Sequence, residues 1–301
     1  MLARLTRLLF VVHVAALAGL LGLAAMQGWS PGVVLGLAAL LLWHPILLGI
    51  ECLLMRRITR QVEGTRVPAR RLLRAWLGEW LASTRTFAWR LPWRADAIPD
   101  HLPPTARGRR GVVFVHGFVC NRGLWNPWLV RLRALDRPFV ALTLEPVFSD
   151  IDAYAPLVEA AVRRVEAATG MAPLVVAHSM GGLAVRAWLR AFEAQGAARR
   201  CDAVVTIGTP HRGTWLASLA LSPNARQMRQ DSSWMRALSP AEPTPHAERF
   251  VCWWSDCDQI VFPPPTAILP GSQSRAIVGV AHLALCEREE IWEDVLARLQ
   301  P

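Results

Sequence analysis

The stretch LVVAHSMGGLAVRAWL, residues 174–189, sets Ser179 between small residues where a short apolar run gives way to a helical pattern. Residues 173–177 are rich in β-formers, and Gly181 and Gly182 open a segment that carries Leu183, Arg186, Ala187 and Trp188. A serine mounted on a sharp strand-to-helix turn is usually written G-x-S-x-G; here the first glycine is Ala177, giving A-H-S-M-G. Small residues belong there because the serine's backbone is strained and the incoming strand packs closely on the outgoing helix. Alanine is the smallest side chain after glycine, so the departure is mild. The setting predicts a nucleophilic Ser179.

Outward from that turn the sequence alternates. Residues 111–115 (GVVFV), 138–144, 173–177, 202–207, 249–255 and 275–280 read as buried strands. Helical patterns at 121–135, 151–169, 180–194 and about 286–299 fall between most of them and supply the crossovers a mainly parallel sheet needs. The expected architecture is α/β, with helices on both faces of the sheet.

With these elements in place the chain resembles the α/β-hydrolases, and within them bacterial lipases and esterases, some of which carry A-x-S-x-G as their normal form. The resemblance runs from about Gly111 to the C-terminus. FVHGFVCNRGLW, residues 114–125, matches the H-G-hydrophobic turn of such enzymes. It implies an oxyanion hole built from the backbone N–H groups of Phe118 and Met180, with His116, Gly117, Ala177 and Gly181 supporting the turns. The fold implies the order serine, acid, histidine. Asp258-Gln259-Ile260-Val261 matches the family's Asp-x-hydrophobic-Val, so Asp258 is the expected acid with Asp256 as its rival, and His282 in VGVAHLAL is the expected base. His178 adjoins the nucleophile, His211 in TIGTPHRGT reads as structural or pocket-lining, and residues 213–246 read as a lid or cap over the site.

Upstream lies a different kind of sequence. After Arg7 the next charged side chain is Glu51. An uncharged run of that length covers two crossings of a bilayer, whose core takes about 20 helical residues each. QGWSPG, residues 27–32, breaks it, which predicts a transmembrane hairpin with spans at 8–26 and 33–54. A signal peptide followed by a buried helix is the alternative, but no clean A-x-A site precedes Gln27. Arg4 and Arg7 before the first span, and Arg56, Arg57 and Arg60 after the second, predict that both ends face the cytoplasm from the inner membrane. His13 and His44 are assigned to the spans and set aside.

Residues 66–94 combine arginines with four tryptophans. Leu73, Trp76, Leu77, Trp80 and Leu81 recur at helical spacing. That pattern suits a membrane surface or a helix packed on the next domain, and the sequence leaves both open. A proline-rich linker at 97–110 then marks a boundary, giving a hairpin (1–60), a basic connecting segment (61–110) and a catalytic domain (111–301). The net charge of +10 is compatible with anionic lipid, and no nucleic-acid module is present. Six scattered cysteines lack zinc-type spacing, and Cys252 and Cys257 would pair only in an exported domain. No cofactor, metal or obligate protein partner is expected.

The resemblance implies a membrane-anchored hydrolase of carboxylic esters, acting on a lipid or hydrophobic ester through an acyl-enzyme on Ser179. An acyltransferase or thioesterase using the same serine, or an inactive binding protein on the same fold, remain open alternatives.

Overall fold

A computed structural model describes residues 1–239 and 246–300. Its centre is a six-stranded, wholly parallel sheet in the order β2-β1-β3-β4-β5-β6, formed by β1 (Val112–Val115), β2 (Phe139–Ala141), β3 (Leu174–His178), β4 (Val204–Ile207), β5 (Phe250–Trp254) and β6 (Gln273–Ala276). The first five strands are short, apolar and buried almost throughout, as expected for a sheet covered on both faces. Alternate residues point to opposite sides. Val113, Val115, Val175, Ala177 and Val204 pack with helices α6 (Ala155–Thr169) and α7 (Met180–Ala191). Phe114, Val176, Val205 and Ile207 pack on the other face with α5 (Asn126–Ala134) and α10 (Glu289–Arg298). There Trp125, Trp128 and Trp292 form a chain of edge-on rings, with centroids 5.8 and 5.3 Å apart.

Element boundaries differ from the sequence reading mainly at the C-terminal end. The last strand was expected over 275–280 but spans Gln273–Ala276, and its residues are exposed at the sheet's edge. The apolar residues that follow belong to the loop leading to His282. A 3₁₀ turn, Ala284–Glu287, precedes the last helix, which begins at Glu289 and not near 286.

Two long helices precede this domain, α1 (Leu2–Gln27) and α2 (Pro31–Glu63), both longer than the predicted spans. Ser30 caps α2 by accepting from the N–H of Val33. Their most apolar windows have mean hydropathies of 2.4 and 2.3, yet only 6% and 17% of those windows are buried. A helix with that much uncovered apolar surface is unlike the core helix of a soluble protein, in which the apolar stripe is buried. The end of α2 is different: Cys52, Met55 and Ile58 are buried in a cluster with Leu72, Ala75, Cys257, Phe262 and Ala281.

The basic segment forms α3 (Ala69–Thr84), followed by a π-helical turn, Arg85–Arg90, and a short helix, α4 (Leu91–Trp93). It packs on the domain through Leu72, Ala75, Glu79, Ala82 and Ser83. The stripe picked out by its spacing lies elsewhere, since Leu73, Leu77, Trp80 and Leu81 are exposed. Helices α8 (Pro223–Gln227) and α9 (Ser233–Leu238) occupy the expected cap, of which residues 240–245 lie outside the described residues. Ala225, Met228, Met235 and Leu238 pack into the core beneath α7.

Candidate active site

Three strands deliver the predicted residues to the carboxyl-terminal end of the sheet. β3 ends at His178, and Ser179 follows with φ 55 and ψ −130, a region that non-glycine residues avoid and that marks stored strain. The turn is held on both sides. Ser179 N–H donates to Ile207 O at 2.9 Å, and Thr209 Oγ1 donates to Ser179 O at 2.9 Å. A Cβ on Gly181 would stand 2.5 Å from Val115 O and 2.6 Å from His116 O; on Gly182 it would meet Thr209 Oγ1 at 2.3 Å. Both glycines are therefore demanded by close packing. Ala177, fully buried in β3, pairs with Val115 and Thr206.

Asp258 follows β5 and His282 follows β6. His282 Nδ1 lies 2.9 and 3.0 Å from the two carboxylate oxygens of Asp258. Asp258 Oδ1 also accepts from the N–H groups of Ile260 and Val261, at 2.9 and 2.8 Å. Asp256 is elsewhere: its carboxylate holds Arg71 at 2.7 Å and the N–H of Gly279 at 2.7 Å. The geometry thus brings Asp258, and not its rival, to the histidine. Gly208, at the end of β4 with φ 55, completes the arrangement, because a Cβ there would lie 2.9 Å from Asp258 Oδ2 and 3.1 Å from His282 Nδ1. A glycine directly after a strand was the signal for it.

The H-G turn abuts the elbow. A Cβ on Gly117 would fall 2.7 Å from Ser179 Cβ. His116 is buried; its Nδ1 donates to Gly117 O at 2.8 Å and its Nε2 accepts from Leu144 N–H at 2.9 Å. Burial pushes its pKa down to about 4, so it is a neutral brace. Met180 opens α7, where the N–H has no intrahelical partner. Next to Phe118, Val119 adopts φ 52, an unusual conformation for a β-branched residue.

Ser179, His282 and Phe118 line one cavity of about 370 Å³. Burial alone would lower the His282 pKa; the adjoining Asp258 carboxylate, assisted by Glu79 and Glu51, outweighs it and the net direction is upward. His178, its ring centroid 4.5 Å from that of His282, is driven well down, first by burial and then by the electrostatic influence of His282. Cys120 also lines the cavity, but burial pushes its thiol up to about 12, which removes it as a competing nucleophile. All six cysteines are free thiols and buried. His211 hydrogen-bonds to Thr206 Oγ1 at 3.0 Å, away from this cavity.

The remaining walls come from the N-terminal region, which the sequence reading kept apart from the site. Trp43, His44, Leu47, Leu48 and Glu51 of α2 contribute, with Glu79 and Ser83 of α3 and Phe87 of the π-helical turn. His44, set aside as a span residue, is thus a lining residue, with Nε2 3.2 Å from Ser83 Oγ. Among the described residues of the expected cap, none lines the cavity. Glu79 is the largest omission. Buried against the histidine loop, it accepts from the N–H groups of Leu283 (2.9 Å) and Ala284 (3.1 Å) and from Gln259 Nε2 (2.9 Å), while Gln259 Oε1 accepts from His282 N–H (3.1 Å). Burial raises the pKa of Glu79, and His282 with these donors opposes the rise. The available signals were a single acid among arginines and tryptophans, and a lone Glu51 closing an apolar run.

The wholly parallel sheet with its covering helices superposes on solved structures. Lipase BlEst2 of Bacillus licheniformis, in its mature form, superposes with a TM-score of 0.55 over 64% of this chain and 92% of its own, at 16% identity. The chain has the α/β-hydrolase fold. Lipase B of Aspergillus fumigatus gives the same TM-score at 20% identity, over 65% of this chain; the chain spans 53% of that enzyme's length. No protein-family model matches the sequence, and no curated protein does. The hydrolase fold of this chain is therefore seen through its structure.

Proposed function

We propose that the protein is a membrane-anchored serine hydrolase that cleaves carboxylic esters of lipidic or hydrophobic acyl groups. The observation that carries this reading is the Asp258–His282 pair, in contact at 2.9 Å, lining the same cavity as a strained serine at the head of a helix. Both lipases named above share the fold, which is compatible with it. With Nδ1–H donating to Asp258, the neutral imidazole leaves Nε2 free to take the proton of Ser179 as Oγ attacks an ester carbonyl. The N–H groups of Phe118 and Met180 receive the oxyanion, each such donor contributing about 3–4 kcal/mol in comparable sites. His282 then returns the proton to the leaving alkoxide, and water, activated by the same imidazole, releases the acid and restores Ser179.

Anchoring rests on α1 and α2, whose apolar surfaces are long enough to cross a bilayer and are left uncovered. The first helix is also tied to the fold: the amino terminus contacts Glu145, and Phe10 packs edge-on against Trp93 at 6.1 Å. A cytoplasmic catalytic domain is supported by Arg56, Arg57, Arg60 and Arg66, which line a second pocket beyond the apolar part of α2. The test is a panel of esters of graded chain length given to the full-length protein and to Ser179→Ala. The wild type alone should hydrolyse them and react with a fluorophosphonate; equal turnover by the mutant would refute the assignment.

A further inference from the structure

The cavity's lining residues fall into two groups by exposure. Ser179, His282, Glu79, Gln259, Leu48 and Leu283 are all nearly inaccessible, so they form its floor. Trp43, Leu47 and Phe87 are the large apolar side chains that line it and are also exposed, at 54%, 44% and 36%, so they stand at its mouth. Two of these three belong to α2, a helix with most of its apolar window uncovered. From Pro31 to Ile50 that helix carries no charge, and Glu51 ends the run. About 20 such residues match the thickness of a bilayer core. At about 1.5 Å per residue, Leu47 lies roughly 6 Å and Trp43 roughly 12 Å inside the point where Glu51 stands. The mouth is then level with the outer part of an acyl-chain layer, not with water.

The surroundings agree. Trp76 Nε1 donates to Pro45 O at 2.8 Å, which seats α3 against α2 at this depth. The outward face of α3 and the turns after it present Leu73, Leu77, Trp80, Trp89 and Trp93. Tryptophans of that kind favour the headgroup boundary, and an exposed apolar face of this extent has no reason to face water.

We propose that the catalytic cavity opens sideways into the bilayer, between α2 and the turn carrying Phe87, and receives an ester lipid resident in the membrane, its acyl chain against Trp43, Leu47 and Phe87 and its carbonyl at Ser179. This deepens the serine-hydrolase reading and rests on it for the chemistry, which is unchanged: the ester bond breaks, the acyl group transfers to Ser179 Oγ and then to water. It replaces the expected cap at 213–246 with the anchor itself as the wall that admits substrate. The chain need not leave the apolar phase to reach the serine, so the cost of exposing each methylene to water, about 0.8 kcal/mol, is avoided along the route.

The test uses full-length Ser179→Ala in phosphatidylcholine vesicles doped with a phosphatidylcholine that carries a diazirine on its acyl chain. After irradiation, peptide mass spectrometry should find adducts on the lining residues Leu48, Ile260 and Leu283, of which Leu48 and Leu283 are buried, in addition to the outward-facing Ile46 and Ile50. Adducts confined to Ile46, Ile50 and Leu53 would overturn lateral entry. This readout needs no turnover, so it stands apart from the fate of the hydrolase reading. In a second arm, wild-type protein in the same vesicles is given a fluorogenic long-chain ester lipid, and inert lipid is added at constant ester. Hydrolysis should fall in proportion to the dilution within the membrane; a rate that ignores this dilution and follows aqueous ester would also overturn the inference. Cavity adducts without any turnover would support lateral entry while sinking the hydrolase assignment alone.

Discussion

Glu79→Gln tests whether a carboxylate from outside the sheet holds the base in place. Its three N–H partners, Leu283, Ala284 and Gln259, are all donors, and in the mutant one of the two oxygens they share becomes an NH₂. Whichever way the amide turns, at least one buried N–H then faces another N–H. Losing a charge-assisted bond and stranding its donor costs about 1.5–3 kcal/mol each, so about 2–4 kcal/mol falls on the loop that begins at His282. At about 1.36 kcal/mol per tenfold, kcat/KM for a soluble short-chain ester should drop roughly 30- to 1,000-fold. The pH profile supplies a second readout. As the proposed base His282 must be neutral to act, and its pKa is raised by Asp258 and also by Glu79. The acid limb of kcat/KM should therefore lie above pH 6.5 in the wild type and move to lower pH in Glu79→Gln, whereas Glu79→Asp should keep the limb near its wild-type position. A mutant within about twofold of wild type, with an unmoved limb, would refute the reasoning.

Asp258→Asn should cost about 10³–10⁴ in kcat, since the imidazole loses its orienting acceptor, and Asp256→Asn far less; steady-state kinetics on the pair would reverse the acid assignment if the losses were exchanged. Gly181→Ala forces a Cβ onto two backbone carbonyl oxygens, so the elbow must shift; a destabilisation of about 1–3 kcal/mol and a large fall in kcat are expected from thermal melts and turnover. His116 is neutral in the fold with a pKa lowered to about 4. Its contribution to stability is intact above pH 6.5 and is lost as pH falls, by about 3 kcal/mol at pH 4, because only the unfolded state takes up the proton in that window. Detergent-phase melts of wild type and His116→Phe should converge toward acid pH as this term disappears.

The parts of the candidate site that are legible in the sequence are those fixed by local geometry. Ser179 needs small neighbours within two residues, and Gly181 and Gly182 announce it; Asp258 follows the apolar, aromatic run FVCWW, and His282 sits within the apolar run IVGVAHLAL. What stayed hidden depends on packing between distant segments. Glu79 meets Leu283 across 204 positions, and nothing near Glu79 encodes that meeting. The apolar spacing of α3 was visible, but the helix has two apolar faces, and periodicity does not say which one meets protein. The edge strand was displaced for a related reason: Gln273–Ala276 is exposed and carries no hydrophobic signature, while the apolar residues after it feed the histidine loop.

The same packing bears on what the N-terminal helices are for. An anchor needs only to hold a domain at a surface, and a flexible tether would do that. Here Cys52, Met55 and Ile58 of α2 are buried with Cys257, Phe262 and Ala281, which flank Asp258 on one loop and His282 on the other. Leu48, four residues earlier on the same helix, lines the cavity beside Ser179. Packed interiors transmit displacement, so a shift of α2 along its axis would be felt by both the acid and the base. On the proposed anchoring, whatever sets the height of α2 in a bilayer, above all the boundary between its apolar run and Arg56, would also set the geometry of the candidate site. The membrane would then act on the proposed enzyme as a structural partner, and the second helix is the element through which it would do so.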